Sequence, residues 1–369
     1  MQFSINHKRL IDARRPIQFP FQKAESADIM AERFHIAEWY GRPFLDLTND
    51  ERVAFSQHKV GTSTMKKAEV DRLLTLEGKA ALGALTPTED TRLQQLRSVL
   101  LNQEQHEQPC PFRTDTAHAT CTKPGGVCSL RLLTDENTTV EAVAGERGMI
   151  RALCPYRFHQ DSTAFQHIGE RLLDDPRPVQ AGEVGFLEST GNLDSAPGED
   201  VGRIDMILVK SNAPQDFPMD WTAVEIQAVY FSGREMSIEF RHLLKTGGAL
   251  SMPVVARRPD YRSSGPKRLM PQLQIKVPTL RRWGKKMAVV VDLPFFLSMG
   301  EMRTVNHVSN ADIVWFLVDF VRQPGDKLHK LVVVREFATT LESAIEGLTG
   351  GVPVSLNQFE DRINGKIGP

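Results

Sequence analysis

Six short apolar runs between residues 184 and 337 constrain this chain most: VGFLE (184–188), IDMILVK (204–210), AVEIQAVYF (223–231), MAVVVDL (287–293), DIVWFLVDF (312–320) and LVVVREF (331–337). Successive side chains of a strand point to opposite faces, so a run such as AVVVDL is apolar on both faces. Central strands covered by helices on each side read that way. Helical patterns accompany them, FQHIGERLLDD before the first run and ESAIEGLTGG, closed by glycine, after the last. Residues 161–369 are therefore expected to form an α/β unit, a mixed sheet flanked by helices.

Two further zones precede it. Residues 1–105 are expected to be a helical region. The segment MKKAEVDRLLTLEGKAALGAL carries apolar residues at helical spacing and stops near Gly83. Thr86-Pro87-Thr88-Glu89 then reads as a capping box with proline at the first helical position, followed by the amphipathic DTRLQQLRSVLLNQ. This predicts a helical hairpin, either packed on itself or carrying a dimer contact. Residues 106–160 are rich in Thr, Pro and Gly and show little regular periodicity.

All four cysteines fall in that middle zone. Cys110, Cys121, Cys128 and Cys154 are spaced C-x10-C-x6-C-x25-C. The start MQFSINHKRLIDARR lacks the apolar core of a secretory signal, and no apolar run is long enough to span a membrane. A cytoplasmic, reducing compartment is expected, which disfavours disulfides. Four thiolates can close a tetrahedral shell around zinc or iron. Neither half of the spacing is the C-x2-C of a zinc ribbon, but the turn KPGGVC and the Cys154-Pro155 pair suit ligands on tight turns. His118 or His159 could replace one thiol, and four buried apolar cysteines are the alternative. A segment this poor in apolar periodicity often needs a metal to fold, which supports a four-cysteine metal-binding insert.

Charge is distributed unevenly. The net charge of −1 argues against a wholly basic nucleic-acid binder and says nothing of local patches. Residues 151–232 carry a net −7, whereas residues 241–290 hold twelve Lys or Arg against Asp260 alone, a net +11. A basic block after an acidic one suits a metal-dependent phosphodiesterase, with acids holding the metal and basic side chains the phosphates. Within the acidic block, Asp205 lies in GRIDMILV, and Glu225 and Gln227 lie in AVEIQAV. Positions i and i+2 of a strand share a face, so Glu225 and Gln227 look one way and Val224, Ile226 and Ala228 face a core. A hairpin or meander would bring Asp205 beside Glu225, making a site for a hard cation such as Mg²⁺.

These segments together resemble the NotI-type restriction endonucleases. The resemblance rests on the four cysteines, GRIDMILVK, AVEIQAVYFSG and PDYRSSGPKRLMPQLQIKVPTLRRWGKKMAVVVDL, over roughly residues 105–295. It implies a Type II site-specific deoxyribonuclease with a PD-(D/E)xK core, a homodimer that cuts double-stranded DNA at a GC-rich palindrome with Mg²⁺. By the resemblance Asp205, Glu225 and Gln227 form the catalytic set, with Asp205 and Glu225 on Mg²⁺. A further Glu from the preceding strand is expected, Glu188 fitting best, Glu183 second and Glu170 third. Cys110, Cys121, Cys128 and Cys154 become ligands of Fe or Zn. The sequence departs from the motif twice, with Ile204 where the proline stands and Gln227 where a lysine is usual. DNA contacts are expected from Arg257, Arg258, Arg262, Lys267, Arg268, Arg281 and Arg282, since arginine pairs with guanine O6 and N7. A non-catalytic or non-specific DNA-binding or repair protein on the same fold is the alternative.

Overall fold

The computed structural model describes residues 32–57, 67–106, 108–113, 119–135, 139–211, 218–350 and 354–367. The chain opens on β1 (Arg33–Trp39), β2 (Arg42–Pro43) and α1 (Asn49–Gln57). Helices α2 (Lys67–Ala81) and α3 (Pro87–His106) follow, then β3 (Val127–Thr134), β4 (Glu141–Ala142), β5 (Arg151–Ala152) and α4 (Thr163–Leu173). The second half contains β6 (Val179–Glu188), β7 (Asp200–Val209), β8 (Trp221–Gln227), β9 (Phe231–Gly233), α5 (Ser237–Lys245), β10 (Arg257–Pro259), α6 (Tyr261–Ser264) and α7 (Met270–Arg282). It closes with β11 (Met287–Asp292), α8 (Leu293–Leu297), β12 (Ile313–Val321), β13 (Lys330–Thr339), α9 (Leu341–Thr349) and α10 (Leu356–Ile367).

The apolar runs assemble one six-stranded mixed sheet in the order β13-β12-β11-β8-β7-β6. β8, β11 and β12 are parallel, while β13, β7 and β6 are added antiparallel. All six residues of β11 are buried, as its two-faced apolar pattern requires. One face packs Val224, Ile226, Ala228, Val290 and Phe316 against Phe165 and Ile168 of α4. The other packs Val289, Val291, Trp315 and Leu317 against Leu273, Val277 and Leu280 of α7 and Ala344 of α9. The run 223–231 does not stay in one strand. It leaves the sheet after Gln227, and Phe231–Gly233 pairs instead with Arg257–Pro259.

The capping box forms as read. Glu89 N donates to Thr86 Oγ1 at 3.3 Å and Thr86 N to Glu89 Oε2 at 3.1 Å. α2 and α3 make a hairpin around their own cluster of Leu73, Leu76, Leu93 and Leu96.

Two features were not read from the sequence. Beside the helices α1, α2 and α3, the first 105 residues hold β1, a strand whose last six residues are all buried. The cysteine zone, with its little regular periodicity, supplies β3, which pairs along β1 in a five-stranded sheet with β2, β4 and β5. The segment RFHIAEW is covered on both faces and so lacks the polar alternation that marks a half-exposed strand. This smaller sheet is strapped to the large one. The buried Asp292 carboxylate, which caps α8 by accepting from Phe295 N at 2.8 Å, also accepts from Ala152 N at 2.9 Å. Val229 N donates to Ala152 O at 2.8 Å. The cysteine zone is thereby fixed beside the end of β8. No helix among the described residues is long and apolar enough to cross a membrane.

Candidate active site

The antiparallel register of β7 and β8, Met206 opposite Val224, sets Asp205 across from Glu225 at the next position. β8 leaves the sheet just beyond, so the pair sits where the sheet opens. Asp205 Oδ2 accepts from Ile226 N at 3.2 Å, which anchors its carboxyl to β8. Gln227 lies two residues beyond Glu225 and lines the same cleft, and its Nε2 donates to Ala228 O at 2.6 Å. Asp205, Glu225 and Gln227 are therefore brought together on one face.

A fourth residue, one of the twelve in the basic block, joins them. Lys276 of α7 is buried at 2% exposure, with Nζ 2.6 Å from Glu225 Oε2 and 3.8 Å from Asp205 Oδ1. Its presence in the core is unusual for lysine unless it is paired. A signal was available in the sequence. Leu269, Leu273, Val277 and Leu280 form the apolar stripe that packs α7 on the sheet. Lys276 falls in that stripe at position i+7 from Leu269, where a helix facing a core carries an apolar residue.

The carboxylates respond to this setting. Burial and the neighbouring Asp205 push Glu225 up to about 7, and Lys276 offsets only part of the rise. Asp205 is also raised, mainly by loss of solvent behind it, although its side chain is 44% exposed towards the cleft. Lys276 and the Ile226 amide pull it back, while Glu183 raises it further.

The acid nearest Asp205 on the preceding strand is Glu183, and not Glu188. The ladder pairs Gly182 with Met206 and Val184 with Ile204, so Glu183 stands opposite Asp205. Glu188 lies five residues on, paired with Asp200 beyond two register shifts. Glu170 of α4 lines a different surface depression, with His167, Arg171 and Glu336. Glu183 also has φ +45° within β6, a left-handed conformation that costs a non-glycine residue of order 1–3 kcal/mol. Its carboxylate is 3.5 Å from Arg203.

A cleft of about 560 Å³ opens over these residues, walled by Arg203, Tyr230, Lys267, Arg268, Gln272 and, from the cysteine zone, Leu153 and Pro155. Tyr230 is held at both backbone ends, its N–H donating to Ser264 Oγ at 2.9 Å and its carbonyl accepting from Asp260 N at 2.6 Å. Arg268 lies over its ring at 3.6 Å and donates to its hydroxyl at 2.7 Å. Lys267 and Arg268 belong to a π-helical turn, Gly265–Leu269, an irregularity frequent at functional sites.

The other proposed DNA contacts separate. Arg258, Arg262 and Arg282 are exposed. Arg257 is buried, and all three of its guanidinium nitrogens donate inside the protein, to Glu239 Oε1 at 2.8 Å and to the carbonyls of Arg234 and Glu235. Arg281 is exposed but spans Asp312 and Glu342, at 2.6 and 3.3 Å.

The four cysteines are free thiols gathered in one region. Pro109 and Thr120 form an antiparallel bridge flanked by Cys110, whose N–H donates to Ala119 O, and Cys121, whose N–H donates to Gln108 O, and the N–H groups of Leu153 and Cys154 both donate to Cys128 O, at 2.9 and 3.1 Å. Burial raises the thiols of Cys121 (to about 11), Cys128 and Cys154, and neighbouring cysteines raise them further. Among the described residues no three His, Cys, Asp or Glu side chains converge as an assembled ligand group. The sulfurs nevertheless attract amides: Gly41 N donates to Cys128 Sγ at 3.3 Å, and the backbone at Tyr156 and Arg157 hydrogen-bonds Cys154. His118, the first candidate to replace a thiol, lies outside the described residues.

A family model described as restriction endonuclease NotI matches residues 94–331. Among curated proteins, none matches the chain. The matched span takes in the cysteine zone, the Asp205–Glu225–Lys276 cluster and the basic block.

Proposed function

The chain belongs to the NotI restriction endonuclease family, and from this premise we propose that it is a Type II deoxyribonuclease of PD-(D/E)xK type whose centre is Asp205, Glu225 and Gln227. Family membership makes it a site-specific restriction endonuclease acting on double-stranded DNA. The single observation that carries the assignment of the centre is the pair of carboxylates across adjacent strands with an ammonium between them. That ammonium occupies the place of a cation between two carboxylates, and this supports the reading that the residues would take Mg²⁺.

Asp205 and Glu225 would hold the ion, and Glu183, opposite Asp205 on β6, is the further acid proposed for the centre. Bound there, Mg²⁺ supplies charge neutralisation at the scissile phosphate and acidifies water. Gln227 can orient a water by hydrogen bonding but cannot accept its proton as a base would. Strict metal dependence follows. Lys267 and Arg268, with the exposed Arg258 and Arg262, would track the phosphates and read guanine in the major groove, which suits a GC-rich site. A palindromic site calls for a two-fold protein, so the working unit is proposed to be a homodimer.

We assign the four cysteines to a structural Fe or Zn site. Its support is the shared region of the four thiols with backbone amides directed at the sulfurs of Cys128 and Cys154, contacts a bound metal would reinforce by offsetting the burial that raises these thiols. X-ray fluorescence of the purified protein identifies the element. The reading divides the chain into an N-terminal region (1–105), a metal-binding region (106–160) and a catalytic region (161–369). Digestion of DNA of known sequence with Mg²⁺, followed by end mapping, tests the whole. Fixed termini at one palindrome are expected. Smears, structure-dependent nicks or no cutting would refute site-specific cleavage.

A further inference from the structure

Resting on that reading, we propose that Lys276 is a positioning residue whose ammonium holds the carboxylate pair when no metal is bound, is displaced from Glu225 by the divalent cation, and then faces the bound phosphate. The position following the strand glutamate is occupied by Gln227, which carries no charge. The positive charge comes instead from α7, on the opposite wall of the cleft, through a core-facing polar position in its apolar stripe.

Three observations support the role. The Lys276 ammonium is 2.6 Å from Glu225 and 3.8 Å from Asp205, so it occupies ground a cation ligated by both would need. It is almost fully buried, yet its neighbours Gln272 and Ile275, one turn back and one residue before it, line the open cleft, as Lys276 itself does. A short sideways movement of a flexible four-carbon stem therefore exposes the ammonium to the cleft without unfolding the helix. Pro278 within α7 cannot donate a backbone N–H, which leaves the carbonyl of Gln274, four residues earlier, without that partner and loosens the helix near Lys276.

The consequence is competition. A cation that takes Glu225 must break a charged hydrogen bond, so the lysine weakens metal binding to the empty protein while aiding the reaction. Removing it should therefore move the two properties in opposite directions, which loss of packing alone would not do.

The test uses full-length protein carrying Lys276→Met. Ca²⁺ affinity is measured by calorimetry and single-turnover cleavage with saturating Mg²⁺. Ca²⁺ binding is expected to tighten about tenfold, the worth of one charge-assisted hydrogen bond. Cleavage is expected to fall about a hundredfold, as when one stabilising donor is removed from a reacting centre. Adding Gln227→Lys to Lys276→Met should recover part of the cleavage by returning an ammonium from β8. If Lys276→Met loses its native thermal transition, Lys276→Gln is measured instead with the same expectations. Unchanged cleavage, Ca²⁺ binding that is unchanged or weaker, or no recovery in the double variant would overturn the inference. These outcomes leave the nuclease reading intact as long as the unaltered protein cleaves and Asp205→Ala does not. If the unaltered protein fails to cut with Mg²⁺, the nuclease reading itself falls.

Discussion

Two of the buried carboxylate–cation pairs, one in each sheet, behave in opposite ways. In the smaller sheet Glu38 is fully buried, and its Oε2 accepts from Arg157 Nε at 2.8 Å and Ser129 Oγ at 2.6 Å. Arg157 spends its other donors on Gln160 and the His329 carbonyl. Burial alone would raise Glu38, but Arg157 and His329 overcome it and hold the carboxyl at about 2. In the large sheet Glu225 is nearly as buried, yet a second carboxylate stands beside it and a single ammonium serves both. It is pushed up to about 7. The first pair lies in a buried network that joins β1, the segment after Cys154 and the start of β13, with His329 Nδ1 3.3 Å from the other Glu38 oxygen. The second is short of positive charge and open to a cleft. A pair matched in charge contributes to the fold, whereas one short of positive charge and open to a cleft is a place for a ligand.

The contrast can be broken most strongly by substitution. Arg157→Met leaves Glu38 buried without its guanidinium partner and should cost about 3–5 kcal/mol of stability, read as a shifted urea midpoint. Cleavage per folded molecule should be unchanged. Glu225→Gln should do the reverse, lowering cleavage about a thousandfold, or about 4 kcal/mol, with the urea midpoint held or raised. If both variants lose stability alike, the two pairs are not different in kind.

A pH titration of stability with the metal chelated sharpens the same point. Glu38 is lowered from its ordinary 4.5, so its contribution is present above pH 4.5 and is lost as pH falls towards 2. Glu225 is raised, so its contribution is present below pH 4.5 and is lost as pH rises through about 7. Glu38→Gln should remove the acid-side slope and Glu225→Gln the slope between pH 4.5 and 7. The check is urea unfolding at intervals from pH 2 to 8.

The smallest expected effect concerns two arginines of the basic block. Arg268→Ala should weaken DNA binding by about 1–3 kcal/mol, and if it contacts phosphate alone the loss is uniform across sequences and the salt slope falls by about 1. Arg257→Ala should instead lower stability, because it strands the buried Glu239. Fluorescence anisotropy at several salt concentrations separates the two.

Much of this was legible in the sequence. The apolar runs are local information, and each supplies a strand of the large sheet, although the run 223–231 continues into β9 and burial on both faces holds for central strands such as β11 and not for the edge strand β6. The shared face of Glu225 and Gln227 follows from strand periodicity, and the Thr86 capping box from one tetrapeptide. What the sequence did not disclose depends on register or on contacts between distant elements. Glu183 rather than Glu188 faces Asp205 because of pairing along a ladder whose shifts lie between Gly185 and Glu188. Twelve basic residues in one window looked alike, although Arg257 and Arg281 are committed to internal acids and Lys276 to the carboxylate pair. β1 was not legible because its partner β3 lies far along the chain, in a zone whose Thr, Pro and Gly content hides a strand of its own.

The central claim is that the carboxylates joined by Lys276 form the cleavage centre. Asp205→Ala tests it most directly, because Asp205 is the more exposed member of the pair and its loss disturbs the core least. Affinity for a cognate duplex in Ca²⁺ and cleavage of the same duplex in Mg²⁺ are measured side by side. Binding within a few-fold of the unaltered protein and no detectable cutting are expected. Cutting at the same termini and a similar rate would contradict the claim.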